Sequence, residues 1–208
     1  GFIMAVVSNG TTIIDAGAIS AGSGKMTLIK TLTASGDGTL DFVDGASSVV
    51  LDDTYDEYLF TINNVHPSAT SEVNFVFNLT IDGTNWNVTK TGTMFQALHL
   101  ENDSNALLRY GPSTGALAQG TGDSLLMGSI MRDADGCGSG NFRLFNPSST
   151  TFVKHYLAYI QYTHNSARSY FQAASGYANT TSAITGVRFL MNTGNIDAGT
   201  IKLYGIGG

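Results

Sequence analysis

From Met26 onward, segments that alternate apolar and polar residues recur roughly every 10 to 15 positions, each bounded by a cluster of Gly, Asx, Ser or Pro. Such clusters are Ser35-Gly36-Asp37-Gly38, Asp82-Gly83-Thr84-Asn85 and Asn146-Pro147-Ser148-Ser149. A period of two sends successive side chains to opposite faces of a strand, so the pattern commits the chain to β-structure. In Val73 to Ile81, residues Val73, Phe75, Phe77, Leu79 and Ile81 share one face, opposite Asn74, Asn78 and Thr80. That spacing predicts a half-buried antiparallel strand. Thr151 to Thr163 is a longer aromatic run, partly apolar on both parities, and predicts a strand that is central or covered at one end. Ile184 to Gly205 predicts two strands joined by a Gly-rich turn, with the second closing the domain. Thr93 to Tyr110 is the longest span without Gly or Pro; its apolar positions fit helix and strand equally, and we read it as a strand with a bulged loop at 101–104.

Composition sharpens this picture. Only 12% of the 208 residues are charged and 25 are glycine, against a usual charged share of about 25%. The polar surface must come from Ser, Thr, Asn and Gly, which suit strands and turns. The expected fold is an all-β antiparallel β-sandwich, jelly-roll-like, with an N-terminal extended arm. Its boundaries are an arm at 1–25 and a sandwich domain at 26–208. The arm is small and polar, with apolar pairs at Ile13, Ile14 and Ile19 as candidate assembly contacts. It reads either as an arm that docks on a neighbouring subunit or as an extra edge strand on its own sandwich.

The charge balance narrows the partners. Ten Lys and Arg against 16 acids give a net charge of −6, without a basic run. Phosphate binding needs clustered cations, so nucleic acid is not an expected partner. No segment approaches the ~20 continuous apolar residues of a membrane span, so membrane insertion is not expected. The single cysteine, Cys137, excludes an intrachain disulfide and reads as a loop thiol.

Tests for chemistry return little. Gly22-Ser23-Gly24-Lys25-Met26 lacks the Ser or Thr and the first glycine of a phosphate loop. Asp133-Ala134-Asp135-Gly136 opens like a calcium loop but lacks the later ligands, and Asp52, Asp53, Asp56 and Glu57 read as turn caps. His66, His99, His155 and His164 show no metal-ligand spacing. No catalytic, cofactor or metal residue is assigned. The candidate contact residues are in loops: Trp86 with Asn85 and Asn87, which could stack on a sugar ring or staple the turn to the core, and Glu101 with Asp103.

The segments MTLIKTLTASGDGTLDFVDGASSVVLDDT, Val65-His66-Pro67, Asn146 to His155, Gly176 to Thr181 and the GTIKLYGI ending resemble a family of virion structural proteins of tailed bacteriophages, especially aquatic ones. Proteins of this kind are minor structural, tail-associated or capsid-decorating components, and the family brings no catalytic motif to transfer. The resemblance implies a non-enzymatic structural protein made in the host bacterial cytoplasm and located in the virion. Its partners would be other virion proteins and itself, with a homotrimer the expected state. The rival expectations are a carbohydrate-binding receptor adhesin that contacts a host surface glycan and, ranked below it, a polysaccharide depolymerase.

Overall fold

The computed structural model describes residues 26–69 and 72–207 in full, together with the backbone of strands β1 (Val6–Ser8), β2 (Thr11–Asp15) and β3 (Ala18–Ile19). These three strands form a small antiparallel sheet in the order β1-β2-β3, with Ile14 opposite Ile19. Twelve further strands follow: β4 (Met26–Thr33), β5 (Thr39–Val43), β6 (Glu57–Pro67), β7 (Phe75–Thr80), β8 (Lys90–Leu100), β9 (Ala106–Tyr110), β10 (Ser124–Met127), β11 (Gly138–Phe145), β12 (Lys154–His164), β13 (Arg168–Ala178), β14 (Gly186–Met191) and β15 (Ile196–Ile206). All of their pairings are antiparallel, and the described residues contain no helix.

The twelve strands form two sheets, one of four in the order β10-β7-β14-β5 and one of eight in the order β4-β15-β6-β11-β12-β13-β8-β9. Eight of them close a jelly roll. If β4, β5, β6, β7, β10, β11, β14 and β15 are taken as a single folded-over ribbon, first pairs with last, second with seventh, third with sixth and fourth with fifth. That nesting is the double Greek key. The other four strands are two inserted hairpins, β8–β9 between the fourth and fifth strands of the roll and β12–β13 between the sixth and seventh. Both insertions join the same edge of the large sheet, which therefore overhangs the small one.

Between the sheets the inward parities meet in an aromatic core. Phe42, Phe75, Phe77 and Phe189 from the small sheet pack against Phe60, Phe142 and Tyr156 from the large one, with Phe77 and Phe142 centroids 4.7 Å apart and Phe42 and Phe60 5.2 Å apart in an edge contact. Such edge and tilted pairs add to the gain from burying large rings.

Two sequence expectations need correction. Strand β7 is buried on both faces rather than one, because the 121–123 segment and Lys90 cover Asn78 on its outer side. Ile81, expected on the core face, lies past the strand end and is 44% exposed. Thr93 to Tyr110 is strand throughout its ordered parts, but 101–105 is a hairpin turn between β8 and β9 rather than a bulge. The aromatic run at 151–163 forms a strand paired on both sides, between β11 and β13, as expected.

Candidate functional site

The sequence singled out the turn that carries Trp86, and the structure shows what organises it. Asp82 accepts hydrogen bonds from the backbone N–H groups of Thr84 and Asn85 at 2.9 and 2.7 Å and from the Asn85 side-chain amide at 2.7 Å. Those donors, Asn85 first, hold its carboxyl well below the usual carboxylate range. Asn85 is thereby committed within its own loop. The half-buried Trp86 ring lies under the Arg188 guanidinium at 4.3 Å, and Arg188 makes a two-pronged ion pair with Asp41 at 2.6 and 2.8 Å. Trp86 thus staples the turn to the outer face of β14 and β5. Asn87 is exposed beside it.

Glu101 and Asp103 sit in the β8–β9 turn. Asp103 takes a left-handed backbone (φ 58°) and accepts from His99 Nε2 at 2.9 Å, while the Glu101 N–H donates to Ala167 O. The Trp86 turn and this hairpin tip lie at opposite ends of β8, whose 11 residues span about 33 Å at ~3.3 Å per residue. The structure therefore does not bring the two predicted contact groups together. Ile13, Ile14 and Ile19 fall in β2 and β3 of the small N-terminal sheet; their side chains are outside the described residues.

The acidic groups are occupied locally. Asp52 caps Thr54 N–H at 2.8 Å, which lowers its pKa, and its backbone oxygen accepts from the Tyr58 hydroxyl. Glu57 pairs with Arg143 at 2.7 Å. Among the described residues, no group of three or more His, Cys, Asp or Glu is placed to hold a metal ion.

Two features that the sequence reading missed lie on the two faces of the overhanging strands. Cross-strand partners share a face, and on the outer face the register sets out two adjacent rows: Tyr110, Phe95, Ala173 and Tyr159, then Leu108, Ala97 and Phe171. Leu108 is 71% exposed, Tyr110 65%, Phe95 48%, Tyr159 46% and Phe171 39%. Tyr159 and Phe171 stack with centroids 6.3 Å apart. The rows cross four strands, about 14 Å at ~4.8 Å per strand. Polar residues border them, Thr93 and Ser175 on one side and His99 and Ser169 on the other.

On the inner face, where the small sheet ends at β10, a cavity of about 220 Å³ opens between the overhang and the 112–114 and 128–129 segments. Its lining includes Arg109, Gln96, Tyr162, Tyr170, His164 and Asn74. A relay of amides aims the arginine. Gln172 Nε2 donates to Leu126 O at 2.8 Å, Gln96 Nε2 donates to Gln172 Oε1 at 2.8 Å, and Arg109 Nε donates to Gln96 Oε1 at 3.1 Å. Both glutamines are at least 98% buried, so each amide orientation is set by its neighbour. Tyr162, Tyr170 and His164 stack in turn, with centroid spacings of 5.3 and 4.7 Å. A sequence signal for this pocket existed: Gln96 and Gln172 stand on the core parity of their strands, where an unpartnered amide would be costly.

Against this geometry, the chain matches none of the protein-family models, curated proteins or solved structures with which it was compared.

Proposed function

We propose that this chain is a non-enzymatic structural protein of a tailed bacteriophage virion, assembling on the particle surface as a tail or fibre component or as a capsid decoration. The observation that carries the reading is the exposed aromatic face on the inserted hairpins. Five large apolar side chains on one polar-rimmed sheet face are costly to leave in water, and contiguous patches of this kind mark protein–protein contacts. Jelly rolls serve in viral shells and also in lectins, so the fold supports the reading by analogy only. The rival adhesin reading rested on Trp86, whose ring is engaged with Arg188.

Cryo-electron microscopy of particles purified from a phage that encodes this chain tests the proposal. The expected result is jelly-roll density at regular capsid or tail positions, with the β8, β9, β12 and β13 face against a neighbour. Particles that lack the chain would sink the proposal.

A further inference from the structure

We infer that the cavity under the overhang is a binding site for a ligand of about one monosaccharide that carries a carboxylate, held by the Arg109 guanidinium. Most hydrogen-bond acceptors around the cavity are already taken. Asn74 Oδ1 accepts from Ser129 N–H at 2.9 Å, the Tyr162 oxygen from Gly128 N–H at 3.2 Å, the Tyr170 oxygen from Arg109 Nη2 at 3.2 Å, and His164 Nδ1 from Ser166 N–H at 3.1 Å. The backbone carbonyls of Asn74, Pro112, Thr114 and Ser129 accept from Asn192, from Gly115 and Ala116, from Leu125 and from Asn165 respectively.

The remaining nitrogen and phenol groups are donors. Arg109 Nη1, the hydroxyl protons of Tyr162 and Tyr170, the Asn74 amide NH₂ and His164 Nε2–H have no acceptor among the described residues. With Nδ1 accepting a backbone proton, His164 is the neutral Nε2–H tautomer. Burial, followed by Arg168, holds its pKa below the ordinary imidazole range, against the pull of Glu72. A cavity lined by donors is complementary to a ligand rich in acceptors.

A charged donor beside aromatic rings favours a carboxylate carried on a sugar ring. Arg109 Nε and Nη2 are held by Gln96 and Tyr170, which leaves Nη1 as a charge-assisted donor for an anionic oxygen. The Tyr162, Tyr170 and His164 rings supply a wall for the apolar face of a sugar. A cavity of about 220 Å³ leaves room for one sugar ring.

The test is an NMR titration of the ¹⁵N-labelled protein with D-glucuronate, D-glucose and inorganic phosphate at constant ionic strength. Glucuronate is expected to give saturating shifts at the Gly128, Ser129 and Arg109 amides, glucose none, and phosphate a weaker response than glucuronate. Arg109→Gln is expected to weaken glucuronate binding about tenfold or more. Tyr170→Phe keeps the ring, loses one donor and is expected to weaken binding severalfold; it stands in if Arg109→Gln misfolds. No saturation with glucuronate, tighter binding of phosphate, or unchanged affinity in the folded variant would overturn the assignment. Leu108→Asp, on the opposite face, is expected to leave glucuronate binding unchanged, so this site and the assembly face fail or stand separately.

Discussion

At the scale of single residues, Lys90 is an unusual group. It is fully buried, and its ammonium donates to Asn78 Oδ1 at 2.6 Å and to Val88 O at 2.9 Å. Burial pulls its pKa from 10.5 down to about 8, with Asp123 opposing the shift. Between those values the unfolded chain binds the proton and the folded chain does not, so stability rises with pH across the window. The full contribution is roughly 3 kcal/mol at ~1.4 kcal/mol per unit. Urea unfolding from pH 7.5 to 9.5, below the tyrosine range, is expected to show this rise in the parent protein and to lose it in Lys90→Met. A flat profile in both would show that Lys90 keeps its charge when buried. Gly199 is a second special position. Its φ of +123° lies at the β15 bulge, and a Cβ there would meet Val65 Cα at 2.8 Å. Gly199→Ala is expected to destabilise the fold by about 2 kcal/mol, measured as a lower urea midpoint.

At the scale of elements, the inserted hairpins give the molecule its two surfaces. Strand β9 is exposed at every residue and pairs only with β8 among the described strands, so it forms an edge of the large sheet. Its outward Leu108 and Tyr110 form one end of the aromatic face, while its inward Arg109 reaches the cavity. One alternating five-residue strand therefore serves both surfaces. The double variant Leu108→Asp, Tyr110→Ser is expected to leave the thermal midpoint within a few degrees of the parent, because both side chains are exposed and make few core contacts. In sedimentation velocity it is expected to shift any self-association towards monomer; if the parent associates and the variant does so equally, assembly uses another surface.

At the scale of the whole molecule, stability is concentrated in the aromatic contact between the sheets. Phe142 touches Phe60, Phe77, Tyr156 and Phe189, two from each sheet. Phe142→Ala is expected to cost about 3–5 kcal/mol in urea unfolding, because a ring-sized void cannot collapse between two hydrogen-bonded sheets. A cost below about 1 kcal/mol would mean that the sheets can close over the gap.

Much of this architecture was legible in the chain. Phe75, Phe77 and Leu79, or Val187 and Phe189, alternate with mostly polar neighbours, Val76 and Leu190 excepted, because local geometry sends successive side chains to opposite faces, so strand identity and inward parity were available from spacing. Low charge and abundant turn residues added the β-sandwich class. Alternation cannot report what covers a strand's second face. The burial of Asn78, and with it the unusual lysine, depends on a segment more than 40 positions away. Nor could spacing show that two hairpins distant in sequence would extend the same sheet edge, creating an overhang with an apolar outside and a donor-lined inside. Arg109, Gln96, Tyr170 and His164 are ordinary strand residues until pairing across β9, β8, β13 and β12 sets them side by side. The sequence by itself determined that the chain would be an antiparallel β-sandwich, because periodicity is a property of neighbouring residues; only the tertiary structure decided where its surfaces and its cavity lie, because register and sheet order are set by contacts between residues far apart in the chain.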